Sequence, residues 1–396
     1  MPRSRLRTEQ IRSGAPLPFD TFDQMGNLLL RRGYVIESEA QLGRLVERGL
    51  FFEDGQKGQS PQADEDKAQG RCAGSFQSHY QGKKISVFGL IAQVHEDLES
   101  VLVDESADRF VASVQDIVGL VRRACALDPD ACVATILLHR KGRYSIRRSV
   151  QAAIISELIF ERLGTPADER LSALAAALTM NVAILDLQDR VYAQAMAPND
   201  EQQERVRLHP ESSAARLQEL GVTDPLWLEV VLHHHETIDG KGYPGGLSGD
   251  RIRLATQVIS LADRYAAMIS GRGGRPALLP SAALREIFSL QGKSIEAALV
   301  APVVKELGIY PPGCVVVLAN GDIGVVVKRT LHAHQPVVRI VKNSMNQRVP
   351  GTPKRLTKDS IFAVQRAIPA DKLGFDLDPA ALWEESFEFE PEAQSN

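Results

Sequence analysis

His234-His235-Glu236-Thr237-Ile238-Asp239-Gly240-Lys241-Gly242-Tyr243-Pro244 is the stretch around which this chain is organised. Two adjacent imidazoles and a carboxylate stand at the end of an apolar segment, 227–235, whose spacing predicts a helix. A loop punctuated by glycine as far as Gly249 follows. Glycine lets backbone N–H groups come close to a ligand and adopts conformations that other residues resist. Ligand-type side chains at a helix end, opening into such a loop, form a dense cluster of binding chemistry.

Outward from that cluster the chain reads as almost wholly helical from Ile136 to about Leu307. Helices are predicted at 152–163, 171–187, 212–220, 227–235, 255–269 and 281–288. Breaks fall at Gly164-Thr165-Pro166, Pro198-Asn199, Gly221 and the 240–249 loop. The expected fold is mainly α, a helical bundle over 135–308 with its site between facing helices.

The flanks read differently. Residues 1–53 hold a small α+β unit, with strands at 19–22 and 28–36 about the Gly26-Asn27 turn. A short helix there opens at Ser38 and Gln41 and stops at Gly49. This unit carries no chemical constellation and suits docking or dimerisation, a homodimer included. Residues 54–80, rich in Gly, Gln, Ser, Asp and Lys, read as a linker. Phe88, Ile91 and Leu98, then Phe110, Val114, Ile117 and Val121, give two helices of a lead-in over 81–134. Tyr310-Pro311-Pro312-Gly313 ends the helices. A β-rich appendage over 309–370 begins with a hairpin, 314–318 and 323–328, about Asn320-Gly321-Asp322, and adds a strand at 337–341. Residues 371–396 have no basic residue after Lys372 and are expected to form an acidic, mobile, solvated tail.

Bulk properties exclude several classes. The chain has 396 residues, enough for two or three domains, and is 44% hydrophobic and 24% charged. Lysine plus arginine is 46 against 50 aspartate plus glutamate, a net charge of −4 that gives no support for a nucleic-acid surface. No run approaches the ~18 apolar residues of a membrane span, and no signal-peptide core follows the basic Met1-Pro2-Arg3-Ser4-Arg5. Cys72, Cys125, Cys132 and Cys314 make no CxxC pair and read as reduced thiols, so a cytoplasmic location is expected.

The opening stretch, continued by Gly246-Leu247 and Gly249, is similar to the HHExxDGxGYP signature of the HD-GYP family, a branch of the HD hydrolases. Many members cleave the bacterial second messenger cyclic di-GMP at a two- or three-metal site. Metal ions there would clamp phosphate and lower the pKa of a bound water to about 7. The resemblance implies an HD-type bundle and ligands from five places: a histidine in a YTxxHS pattern, the HD pair in LLHDIGK, a histidine before proline, the two histidines before the GYP loop, and an aspartate in a later helix.

Three of these places are intact: His209 before Pro210, His234 with His235, and Asp263. Two are not. In Tyr144-Ser145-Ile146-Arg147-Arg148-Ser149 an arginine, Arg148, takes the histidine position. In Leu178-Thr179-Met180-Asn181-Val182-Ala183-Ile184, Met180 and Asn181 replace the HD pair and Ile184 the lysine. A thioether is a poor ligand for hard divalent ions. A neutral amide brings no bridging charge, and an arginine is permanently cationic.

Read this way, the chain is a non-catalytic HD-GYP member that senses cyclic di-GMP or a related guanine dinucleotide, or docks a GGDEF-domain or other signalling protein. The alternatives are an active phosphodiesterase with an altered centre and a protein-interaction scaffold. His209, His234, His235 and Asp263 could hold one divalent ion of the Fe, Mn or Zn class. Equally, they could hold none and hydrogen-bond to one another and to Arg148. Asp239, Gly240, Lys241, Gly242, Tyr243 and Pro244 are the candidate ligand loop, with Arg148 available to a phosphate. The loop could equally persist because the fold requires it. His233 is expected to face elsewhere, and His139, His332 and His334 have no partner in sequence.

Overall fold

In the computed structural model, which describes residues 86–104, 109–271 and 275–383 and four short strands before them, the apolar periodicity becomes a layered helical bundle. The chain divides into two units, Met1–Phe76 and Gln77–Asn396. In the first, β1 (Arg3–Arg5), β2 (Thr21–Phe22), β3 (Leu28–Leu30) and β4 (Phe51–Glu53) form an antiparallel sheet in the order β1-β4-β2-β3. The helix expected at 38–49 and the linker at 54–80 lie outside the described residues.

The second unit opens with α1 (Val87–Asp104) and α2 (Phe110–Leu127), which pack on each other through the faces that their spacing marked. Next come α3 (Pro129–Leu138), α4 (Tyr144–Leu163), α5 (Ala167–Thr179), α6 (Leu185–Ala193), α7 (Asp200–Glu219), α8 (Pro225–His233) and α9 (Leu254–Ser270). The bundle closes with α10 (Pro280–Ser289) and α11 (Ala297–Leu307). Helix α4 is the spine. It is buried on almost every side from Ser149 to Phe160 and packs against α9, α5 and α11.

Three boundaries depart from the periodicity, each for a local reason. Helix α4 starts eight residues before 152, at Tyr144, because Arg147 and Arg148 interrupt the apolar pattern without interrupting the helix; Tyr144 itself is buried and stacks on Tyr192 at 4.1 Å. Helix α7 starts at Asp200 rather than 212. Its first half is too polar to show a stripe, yet a capping box, Asn199 with Gln202, sets its start. The expected single helix over 171–187 is broken. Thr179 Oγ1 donates to the Ala175 carbonyl and accepts from Trp227 Nε1, and a 3₁₀ turn, Val182–Ile184, intervenes. This break matters for another reason. Ala167–Ala193 is long and apolar enough to cross a membrane by length and composition, but 78% of its most apolar window is buried within the protein.

The appendage is a five-stranded antiparallel sheet, β8-β7-β6-β5-β9, made of β5 (Val315–Leu318), β6 (Ile323–Lys328), β7 (Val337–Lys342), β8 (Lys354–Leu356) and β9 (Val364–Ile368). The last two are short or polar and show no alternation. Arg329 pins the sheet to the bundle by donating to the Asp130 carboxylate and to the Glu306 carbonyl. Gly313, at φ 86°, lies so close to α3 that a Cβ there would meet the Ala134 oxygen at 2.9 Å. Residues 371–383, expected to open the acidic tail, are folded against the bundle instead. Leu373, Leu382 and Trp383 are buried, Pro379–Leu382 forms a helical turn (α12), and Trp383 meets Phe88 edge-on at 5.3 Å. Residues 384–396 lie outside the described set.

Candidate metal centre

The centre is built where α7, the end of α8 and α9 converge. His209 lies inside α7, one residue before Pro210. Proline has no N–H, so the carbonyl four residues earlier, that of Val206, loses its helical donor. The His209 Nδ1 takes that place and donates to Val206 O. His234 caps α8, where the last carbonyls have no partner in the helix. Its Nδ1 donates to Val231 O at 2.7 Å. A carbonyl only accepts, so both rings carry their proton on Nδ1 and both Nε2 atoms are bare lone pairs.

Those two Nε2 atoms are 3.1 Å apart. Two lone pairs at that distance repel unless a cation lies between them. A proton is disfavoured. Burial, reinforced by the neighbouring imidazoles, pushes His209 down to about 3 and His235 well below its usual value. Burial also lowers His234, against the pull of Asp263. The third imidazole, His235, stands with its ring 4.2 Å from that of His234 and 5.0 Å from that of His209. One ligand atom from each of the three lies within 4.8 Å of the others, the only such grouping among the described residues. Three neutral imidazoles suit a tetrahedral ion with nitrogen ligands at about 2.0–2.1 Å and one open position. The donor set therefore fits one metal ion of the Zn or Fe class.

Asp263 is not free to complete the set. Arg148, from α4, grips it with both arms, Nε to Oδ1 at 2.7 Å and Nη2 to Oδ2 at 2.6 Å. Burial alone would raise the Asp263 carboxyl, but Arg148 holds it below the usual carboxylate range. Burial likewise opposes the Arg148 charge, and Asp263 with Tyr144 overrides it. This fork-to-fork pair places a fixed positive charge beside the histidines. Arg148 is thus engaged with Asp263 within the protein through Nε and Nη2. Met180, Asn181 and Ile184 are all buried, and the Asn181 amide nitrogen has no acceptor among the described residues. The 3₁₀ turn that follows rests on α7 one turn beyond His209, with Ala183 N donating to Ser213 Oγ at 3.3 Å.

The 237–249 loop is explained largely by its own architecture. Glu236, whose side chain is fully buried, accepts from Gly245 N at 2.6 Å and Leu247 N at 3.0 Å. This clamp was not evident from sequence. Gly242 has no room for a side chain, since a Cβ would sit 2.4 Å from Glu236 Cα and 2.5 Å from His235 O. Asp239 accepts from Thr237 Oγ1 at 2.6 Å and Lys241 N at 3.3 Å. Tyr243, followed by a cis Pro244, stacks on His235 at 4.7 Å and is the loop residue that reaches the centre. Lys241 is 84% exposed and bends only toward Asp239. Gly240 shapes the turn at φ 73°. His233 contacts the Glu236 clamp at 3.7 Å.

Comparison with known proteins agrees with this geometry. The HD domain family matches residues 132–299. Cyclic di-GMP phosphodiesterase PA4108 of Pseudomonas aeruginosa is 28% identical over 218 residues, 55% of this chain and 52% of that protein. A cyclic di-GMP phosphodiesterase of Vibrio cholerae is 33% identical over 147 residues, 36% of this chain and 30% of that protein. The chain spans at most about half the length of the curated relatives it matches. Among solved structures, Bd1817, a HDG"Y"P protein from Bdellovibrio bacteriovorus, is similar at a TM-score of 0.48 and 16% identity over 77% of this chain and 99% of that one, too loose a likeness to carry an argument. The signature loop, the histidine pair and the His-Pro dipeptide all lie within residues 132–299, the part of this chain that is an HD domain.

Proposed function

We propose that this protein is a binding member of cyclic di-GMP signalling that recognises the dinucleotide or a protein partner without hydrolysing it. The observation that carries the reading is the Arg148–Asp263 pair. A dinuclear hydrolase needs a carboxylate and an imidazole where this chain has an amide at Asn181 and a guanidinium at Arg148. The guanidinium supplies a built-in positive charge and occupies the one remaining aspartate. His209, His234 and His235 would hold a single ion, which when bound supplies Lewis acidity toward a phosphate oxygen. The chain's own residues would do the rest: the backbone carbonyls of Val206 and Val231 orient two imidazoles, and Tyr243 flanks the third. Glu236 fixes the loop that walls the centre.

The names of the relatives favour a second reading, a phosphodiesterase working through one ion. A hydrolysis assay on cyclic di-GMP, run beside calorimetric binding of the same dinucleotide, separates the two. Binding without linear dinucleotide or GMP release supports the proposal. Turnover that disappears in His235→Ala would overturn it in favour of the enzyme. Finding neither binding nor turnover would rule out the dinucleotide as the ligand.

A further inference from the structure

A cleft of about 1010 Å³ opens where α1, the end of α3 and the C-terminal segment meet, and it shares no lining residue with the histidine centre. The turn after α3 contributes His139, Arg140 and Lys141 to its lining. The His139 ring stacks on that of buried His95 at 3.9 Å, and His95 Nδ1 donates to Ile91 O at 2.7 Å. Arg147 braces the turn from behind by donating to the Arg140 carbonyl. Among the described residues, Arg140, Lys141 and Arg147 form no ion pair. Burial first, then Arg147 and Lys141, hold the His139 ring below its usual pKa.

The C-terminal segment brings Asp371 and Asp376 to the same cleft, and these also form no ion pair among the described residues. Phe88 of α1 adds an aromatic side chain to the same lining. Unpaired cations and unpaired carboxylates therefore line one cavity without closing on each other. The volume is at the upper end for a small-molecule site. A ligand that satisfies both walls is anionic at one end and carries adjacent N–H donors at the other. We propose that this cleft binds a guanine nucleotide, with phosphate on Arg140 and Lys141, the base against Phe88, and its N–H edge on Asp371 or Asp376. Charge-assisted hydrogen bonds at both ends would set the specificity.

The test is calorimetric titration of the full chain with GMP and, separately, with inorganic phosphate. The proteins are wild type, Arg140→Ala/Lys141→Ala, Asp371→Asn/Asp376→Asn and His235→Ala. Apart from His235, the substituted side chains are exposed, and thermal melting checks that each variant folds. GMP should bind wild type and His235→Ala alike, and about tenfold or more weakly in the arginine–lysine double variant. The aspartate double variant should weaken GMP and leave phosphate unchanged. The proposal is overturned if GMP does not bind wild type, or if binding vanishes in His235→Ala while the arginine–lysine variant is neutral. It is equally overturned if phosphate binds as tightly as GMP and the aspartates do not matter.

Discussion

Replacing Arg148 by alanine should do two opposite things, depending on whether a divalent metal is present. In wild type the guanidinium side chain is 17% exposed and its partner Asp263 5%, and two charge-assisted bonds of 2.7 and 2.6 Å join them. Removing one member leaves a buried carboxylate without a counter-charge, which costs about 3–5 kcal/mol. In the presence of chelator, Arg148→Ala should therefore unfold at markedly lower urea than wild type. Adding Asp263→Asn removes the stranded charge and should recover most of the loss. In Zn²⁺ the single variant should behave differently. The released carboxylate joins three imidazoles whose ligand atoms already lie within 4.8 Å of one another. A ligand that binds only the native state at a hundredfold excess over its Kd stabilises by about 2.7 kcal/mol. Zinc should thus restore much of the stability of Arg148→Ala and act less on wild type. An Arg148→Ala chain within about 1 kcal/mol of wild type in chelator would refute the reasoning. So would a double variant no more stable than the single one.

Glu236→Gln keeps the shape of the loop clamp but replaces one of two accepting oxygens with a donor, facing Gly245 N or Leu247 N; it should cost about 1.5–3 kcal/mol and speed proteolytic nicking within 237–249. Gly242→Ala drives a methyl group into backbone atoms 2.4–2.5 Å away, and urea denaturation should register a loss of about 1–3 kcal/mol or more. Burial, then His139, lowers His95 from 6.5 to about 4. The unfolded chain then binds the extra proton first, so stability should fall as pH drops below about 6.5 and level off below about 4. A shift of that size corresponds to roughly 3 kcal/mol. A His95→Phe variant should show a shallower decline over that window in pH-dependent unfolding, and an unchanged slope would count against the assignment.

Much of the centre was legible in the sequence because its chemistry is local. His234 and His235 are adjacent, His209 announces itself through Pro210, and the glycine loop has a long signature. What the Pro210 signal meant physically needed the helix: it frees the Val206 carbonyl that fixes the ring's tautomer. The Arg148–Asp263 contact joins residues 115 positions apart. Periodicity cannot reveal such a pairing, and it decides whether the aspartate is a ligand. The Glu236 clamp was hidden for a related reason, since its backbone donors, Gly245 and Leu247, lie nine and eleven positions along the loop. Helix boundaries failed where charge hid a helix, at Asp200 and Tyr144, or where a threonine back-bond ended one, at Thr179. The strands β8 and β9 had no clean alternation to show: β8 is short and polar, and β9 places Val364, Ala367 and Ile368 against the core without a strict two-residue period.

The central claim concerns how many ions the bundle can hold, and counting them tests it most directly. The full chain would be loaded anaerobically with Fe²⁺, Mn²⁺ or Zn²⁺, freed of excess, and its metal measured per polypeptide. The account predicts no more than one ion per chain, lost in His209→Ala and His235→Ala. Two ions per wild-type chain, both depending on those histidines, would contradict it.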